Sequence, residues 1–97
     1  MVQLKNKEAL EGIRASCRLL ASLHSQLGGF VEPGKSTKEI DSFIHDFIKD
    51  HGGIPGFLGY MGFPASSCIS VNEEVIHGIP GKRVITSRDI ISIDIGI

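Results

Sequence analysis

Tryptophan is absent from this 97-residue sequence, tyrosine occurs once, and only two cysteines, Cys17 and Cys68, are present. Two thiols far apart in the chain with no CxxC partner exclude a disulfide scaffold and a thiolate zinc knuckle. They read as reduced packing thiols, which places the chain in the cytoplasm. Charge of one sign is also lacking: 10 Lys+Arg against 11 Asp+Glu leave a formal net charge of −1. The basic residues are scattered rather than striped, so neither a nucleic-acid partner nor an anionic membrane surface is expected. No apolar run approaches the roughly 20 residues a membrane helix needs, and no hydrophobic block follows Lys5 and Lys7, so a spanning segment and a secretory signal are not expected either. What remains is an ordinary balance of 41% hydrophobic and 22% charged residues, enough for one small folded domain over residues 1–97 and too little for two.

Leu10, Ile13, Cys17, Leu20, His24 and Leu27 recur at alternating steps of three and four. That spacing predicts an amphipathic helix over about 4–27, stopped by Gly28-Gly29. Ile40, Phe43, Ile44, Phe47 and Ile48 form a second stripe. It predicts a helix over roughly 37–51, opened by a capping box between Ser36 and Glu39 and closed at Gly52-Gly53. Next comes a glycine-rich stretch in which Gly56, Gly59 and Gly62 alternate with Phe57, Tyr60 and Phe63; it suits neither helix nor strand but can line a pocket. Cys68–Val71 and Glu74–Ile76, on either side of Asn72-Glu73, predict a β-hairpin, broken by His77-Gly78-Ile79-Pro80-Gly81. Ile91, Ile93, Ile95 and Ile97 alternate with Ser92, Asp94 and Gly96. This is a strand pattern that sets Asp94 on the face opposite the isoleucines. The alternation is still running at Ile97, so the expectation is of a chain cut within a strand, whose exposed edge can pair with a second copy to give a homodimer.

Four groups of residues carry chemistry to weigh. Gly29–Ser36 fits GxxxxGK[ST], the pattern of a phosphate-cradling loop. A phosphate loop follows a buried parallel strand, however, whereas helical periodicity precedes this one, Pro33 lacks an N–H and Glu32 adds negative charge. The competing reading is a turn into a capped helix. Asp41 with His45, and Asp46 with Asp50, stand four apart on the second helix, as metal donors or as a solvated face; no thiolate lies near to complete a zinc set. His24 and His51 read as helix-end residues. His77, between β-type sequence and a Gly-Ile-Pro turn, reads either as a solvent-facing turn histidine or as a side chain fixed at a cleft. Asp94 is open in the same way between a wetted strand carboxylate and a ligand.

Taken in order, Gly59-Tyr60-Met61-Gly62-Phe63-Pro64, Cys68-Ile69-Ser70-Val71-Asn72-Glu73-Glu74-Val75-Ile76-His77-Gly78-Ile79-Pro80 and Asp89-Ile90-Ile91-Ser92-Ile93-Asp94 closely resemble the type I methionine aminopeptidases. The two preceding helices, with Pro33-Gly34 and Thr37-Lys38-Glu39-Ile40, extend the likeness over nearly the whole chain. The resemblance implies an α+β chain forming the N-terminal half of the pita-bread fold, two helices packed on antiparallel strands. It implies a metallo-exopeptidase that removes the initiator methionine from peptides and nascent proteins with two divalent ions (Co, Mn, Fe or Zn). It makes Asp94 a metal ligand, gives His77 a catalytic and substrate-binding place beside the scissile bond, and sets Phe57, Tyr60, Phe63 and Cys68 around the methionine side chain. The family's remaining ligands fall past Ile97, so the 97-residue chain alone is expected to hold no metal pair and to be inactive. The alternatives are a catalytically dead pita-bread interaction module and a nucleotide binder acting through Gly29–Ser36. Two positions depart from the family pattern: Met61 stands where many members carry histidine, and Arg88-Asp89 where Gly-Asp is usual.

Overall fold

The computed structural model describes residues 2–97. Two helices, α1 (Lys7–Phe30) and α2 (Thr37–Asp50), pack beside a two-stranded antiparallel sheet of β1 (Ser67–Val71) and β2 (Ile91–Ile95). One 3-10 turn, Tyr60–Gly62, lies in the connection between α2 and β1. The architecture is α+β, as the sequence implies.

Helix α1 begins three residues later than its periodicity suggests, because the Asn6 side chain accepts the Ala9 N–H and fixes the N-cap there. It also runs through Gly28-Gly29 to Phe30 instead of stopping at the glycines. Two helical glycines cost on the order of 1 kcal/mol each. The offsetting contacts lie at Phe30, whose ring stacks on Phe43 of α2 at 4.4 Å and carries the Lys35 ammonium 4.5 Å above it. Of the expected stripe only Leu27 is buried and Leu20 half-buried against the core, whereas Leu10, Ile13, Cys17 and His24 are exposed; Leu23, which the stripe did not include, is fully buried.

Helix α2 follows its pattern closely. Ser36 Oγ accepts the Glu39 N–H while Glu39 Oε1 accepts the Ser36 N–H, completing the capping box. Ile40, Ile44, Phe47 and Ile48 are buried and form the middle of the core with Leu23, Leu27, Ile69, Ile85 and Ile95. At the other end the Gly53 N–H bonds the Ile48 carbonyl and the Gly52 N–H the Lys49 carbonyl, with Gly52 at φ +76°. This is a Schellman termination, for which the left-handed residue is best a glycine.

The expected hairpin does not form. Strand β1 pairs with β2, in the register Ser67 with Ile95, Cys68 with Asp94, Ile69 with Ile93, Ser70 with Ser92 and Val71 with Ile91. Residues 74–76 are irregular and exposed, because Asn72 turns the chain at φ +54° and Glu74 folds back on the strand it has just left. Glu74 Oε1 accepts the Val71 N–H, and the Glu74 N–H donates to the Val71 carbonyl. The Ile69 N–H, on the same edge, donates to the Gly78 carbonyl. That edge of β1 is thus closed by two point contacts and not by a strand. Asn72 also ties β1 to β2: its N–H donates to the Ile90 carbonyl, its Oδ1 accepts the Ile90 N–H, and its Nδ2 donates to Asp89.

Asp89 additionally accepts the Thr86 N–H. The Asn72 side chain first, and then the Thr86 backbone, hold its carboxyl below the usual aspartate range. A folded-state value below the unfolded one contributes stability above the unfolded value of roughly 4 and loses it as pH falls through the folded one. Thermal unfolding followed from pH 6 to pH 2 is therefore expected to show a steeper fall in Tm for the native protein than for Asp89→Asn; parallel curves would remove this role.

Candidate functional site

Three separate segments converge on one cleft of about 530 Å³, lined by Phe57, Tyr60, Met61, Gly62, Phe63, Pro64, Cys68, His77, Ile79 and Asp94. All six residues singled out in the sequence, Phe57, Tyr60, Phe63, Cys68, His77 and Asp94, are among them. The structure thereby brings together residues up to 37 positions apart.

The sheet supplies one wall. Cys68 and Asp94 are direct cross-strand partners, so their side chains emerge on the same face, opposite the buried Ile69 and Ile95 and the half-buried Ile93. Asp94 is exposed and Cys68 buried. Burial pushes the Cys68 thiol above its usual value, and the carboxylates of Asp94 and Asp41 add to the rise. The thiol therefore stays protonated near neutrality and serves as a soft apolar surface, not as a nucleophile.

The aromatic wall comes from the glycine-rich connection. The Gly56 N–H donates to the Gly96 carbonyl, and the Phe57 ring lies so close to Gly96 that a Cβ there would sit 2.9 Å from a ring carbon. Glycine at 96, just past the end of β2, is what lets Phe57 stand beside Asp94. Beyond it the chain coils through Gly59 (φ +81°), Met61 (φ +49°) and Gly62 (φ +80°), and the Gly59 N–H closes the loop on the Phe63 carbonyl. The coil presents Tyr60 and Phe63 to the same hollow. Met61 occupies the left-handed region without being glycine, a conformation that costs about 1 kcal/mol or more and gathers at functional sites.

The third segment carries His77, also left-handed at φ +58° and exposed. The turn that follows it is fixed by two elements. Gly78 presses against β1: its N–H donates to Ser70 Oγ, its carbonyl accepts the Ile69 N–H, and a Cβ at this position would collide with the Ile69 carbonyl. Gly81 is held by α2, where Thr37 Oγ1 accepts its N–H and donates to its carbonyl while the Lys38 N–H donates to the same carbonyl. His77 is therefore a clamped turn residue at the cleft mouth. Ile79 and Pro64 also line the cleft and were not among the sequence candidates. For Ile79 the signal was present, since it lies inside the same Gly-Ile-Pro turn as a large apolar side chain that remains 62% exposed.

The other constellations resolve differently. The backbone N–H groups of a phosphate loop must point free into a cavity, but those of Gly34–Glu39 are taken: Gly34 by Ile85, Lys35 by Glu32, Ser36 by Glu39, Thr37 by Arg83, Lys38 by Gly81 and Glu39 by Ser36. Gly29 and Phe30, moreover, belong to α1. The arrangement is that of a turn into a capped helix. Asp41 and His45 share a helix face but turn to the chain entering β1, with Asp41 Oδ1 accepting the Ser66 N–H and the Ser67 hydroxyl and His45 Nδ1 sharing a hydrogen bond with Ser66 Oγ. His51 caps α2, its ring stacked on Phe47 and its Nδ1 on the Phe47 carbonyl. Among the described residues no three His, Cys, Asp or Glu side chains converge on one point.

A family model described as metallopeptidase family M24 matches residues 11–97. Methionine aminopeptidase of Treponema pallidum is 50% identical over 97 residues, all of this chain and 38% of the relative. Methionine aminopeptidase 1 of Bacillus subtilis is 50% identical over 96 residues, 99% of this chain and 39% of the relative. The crystal structure of methionine aminopeptidase from Rickettsia prowazekii superposes with a TM-score of 0.92 at 34% identity, over 98% of this chain and 38% of that one. The chain thus spans about two fifths of the length of these relatives.

Two outcomes follow from the geometry. Iodoacetamide at pH 8 should modify the exposed Cys17 well before the buried, proton-retaining Cys68, with peptide mass mapping as the readout; equal rates would contradict the packed thiol. Gly78→Ala should destabilise the fold by about 2 kcal/mol or more, since the new methyl group meets backbone and not a flexible side chain. Denaturant unfolding checks this, and an unchanged midpoint would mean that the loop does not press on β1.

Proposed function

The chain belongs to metallopeptidase family M24, and we propose that it is the N-terminal portion of a methionine aminopeptidase, supplying the pocket for the methionine side chain and one acidic ligand of the metal centre. The observation that carries this reading is the cleft itself, in which three aromatic rings, a buried thiol, a clamped histidine and a strand carboxylate meet. A methionine side chain is unbranched and ends in a polarizable thioether, which gains roughly 0.3–1.5 kcal/mol per aromatic contact beyond its area burial. Walls built from Phe57, Tyr60, Phe63 and Cys68 match that chemistry and carry no formal charge of their own. Asp94 stands beside the walls at the point where the substrate's backbone would emerge.

Family membership implies divalent ions, and the residues described here do not by themselves fit a binuclear centre. A dication needs several oxygen or imidazole donors to replace its hydration, whereas Asp94 is the one carboxylate on the cleft and no cluster of three donors exists among the described residues. The resemblance assigns the other ligands to positions that this chain does not span. The roles proposed for this chain's own residues are therefore binding and orientation. The aromatic walls exclude water from around the thioether, Cys68 fills the floor without competing as a nucleophile, and His77 donates a hydrogen bond to the substrate's reacting carbonyl, where charge would develop. Which of Co, Mn, Fe or Zn the assembled centre takes is not encoded in one carboxylate. The substrate is a peptide or nascent protein whose first residue is methionine.

The test replaces the aligned stretch of the Bacillus subtilis enzyme with this chain and assays a methionyl tripeptide with Mn²⁺. The fused polypeptide is expected to release methionine, whereas the 97-residue chain alone stays at the metal blank. In the fused form Asp94→Asn and His77→Ala should each lower kcat/KM by at least about a hundredfold. A folded fusion without turnover, or one indifferent to both substitutions, would contradict the reading.

A further inference from the structure

Asp41 and His45, which the mechanism above does not use, sit on one face of α2 and reach across to the three-residue segment between the two walls of the cleft. Phe63 and Pro64 precede that segment and Cys68 follows it, and all three line the cleft. Within it Ser66 and Ser67 are 1% and 0% exposed, so their polar groups depend on partners inside the protein. Asp41 Oδ1 accepts both the Ser66 N–H at 3.1 Å and the Ser67 hydroxyl at 2.7 Å, and His45 Nδ1 lies 2.8 Å from Ser66 Oγ. Asp41 is thus a two-point clamp on the stretch of backbone that sets the spacing between the aromatic wall and the sulfur.

We propose that Asp41, supported by His45, is a positioning residue for side-chain specificity: by fastening Ser66 and Ser67 to α2 it fixes Phe63 and Cys68 at the separation that suits an unbranched thioether. This rests on the methionine-pocket reading above. Asp41 does not line the cleft, so its effect travels through the two serines. Removing the acceptor frees the backbone between the walls and relaxes the fit. A pocket that fits less well should discriminate less between methionine and a branched side chain of similar volume, such as leucine. Asparagine at the same place keeps an oxygen that can accept both hydrogen bonds, so the conservative variant should restore the fit without the charge.

The experiment measures kcat/KM for methionyl and leucyl tripeptides in the fused polypeptide, because the ratio of the two does not depend on how much of the sample is folded. Asp41→Ala should lower the methionine-to-leucine ratio about tenfold, chiefly through KM for the methionyl peptide, and Asp41→Asn should hold the ratio within about twofold of the parent. Ile44→Val, which loosens the same helix from its core side, should leave the ratio unchanged. An unchanged ratio in Asp41→Ala, an Asn variant as impaired as the Ala variant, or an equal fall in the Ile44→Val control would each overturn the proposal. If the parent fusion has no methionyl peptidase activity, the function itself is wrong; the clamp is then read in the 97-residue protein by NMR. The Phe63 ring and Cys68 amide signals must move in Asp41→Ala and return in Asp41→Asn, and signals that stay in place overturn the clamp independently of the function.

Discussion

Everything at the cleft depends on the register in which β1 meets β2. With Cys68 opposite Asp94, the alternating residues Ile69, Val71, Ile91, Ile93 and Ile95 face the helices, and the carboxylate and thiol face the hollow. A slip of one residue would exchange the two sets, placing Asp94 against Ile40, Ile44 and Ile48 and an isoleucine at the cleft. The register is held at the far end from the cleft by Asn72, whose backbone and side chain take both hydrogen-bonding groups of Ile90 while its amide reaches Asp89. One left-handed asparagine therefore does what a tight hairpin turn does in other sheets, although the strands it joins are separated by a long loop.

Around that pair, the remaining walls are brought in by close backbone approaches that only glycine permits. Gly96 admits the Phe57 ring and Gly78 admits the turn that carries His77. Helix α2 organises both: its first turn grips Gly81 through Thr37 and Lys38, and its middle grips Ser66 and Ser67 through Asp41 and His45. The helix that forms the centre of the hydrophobic core thus has a polar face that sets the loops. The two faces of one helix thus serve stability and site geometry separately, and it is the polar face whose substitution is expected to alter recognition without touching a substrate.

Much of this was legible in the sequence. The second helix, its capping box and its glycine termination were encoded locally, in residues within four positions of one another, and the strand at Ile91–Ile95 was plain from strict alternation. The six cleft residues were found through family resemblance, and their convergence is a tertiary fact that no local pattern contains. Where sequence reasoning failed, a distant contact decided the outcome. Gly28-Gly29 did not end α1, because Phe30 stacks on Phe43 thirteen positions away. The stretch after Asn72 did not form a strand, because Glu74 and Gly78 close the edge of β1 first. The Asp41–His45 pair could be read as metal donors or as a solvated face, and its partners proved to be two serines some twenty positions on, for which spacing along a helix gives no signal.

The chain belongs to metallopeptidase family M24 and spans about two fifths of the methionine aminopeptidase relatives it matches, and its cleft carries one acidic side chain, Asp94, beside a mainly apolar lining. On the proposed function, this stretch of chain builds the recognition half of a site. The most direct test of that claim is to titrate the ¹⁵N-labelled 97-residue protein with a methionyl peptide and map the amide and ring shifts. The account predicts saturable changes confined to Phe57, Tyr60, Phe63, Cys68, His77 and their neighbours, weaker with a lysyl peptide of the same length. Changes centred elsewhere on the surface, or equal responses to the two peptides, would contradict it.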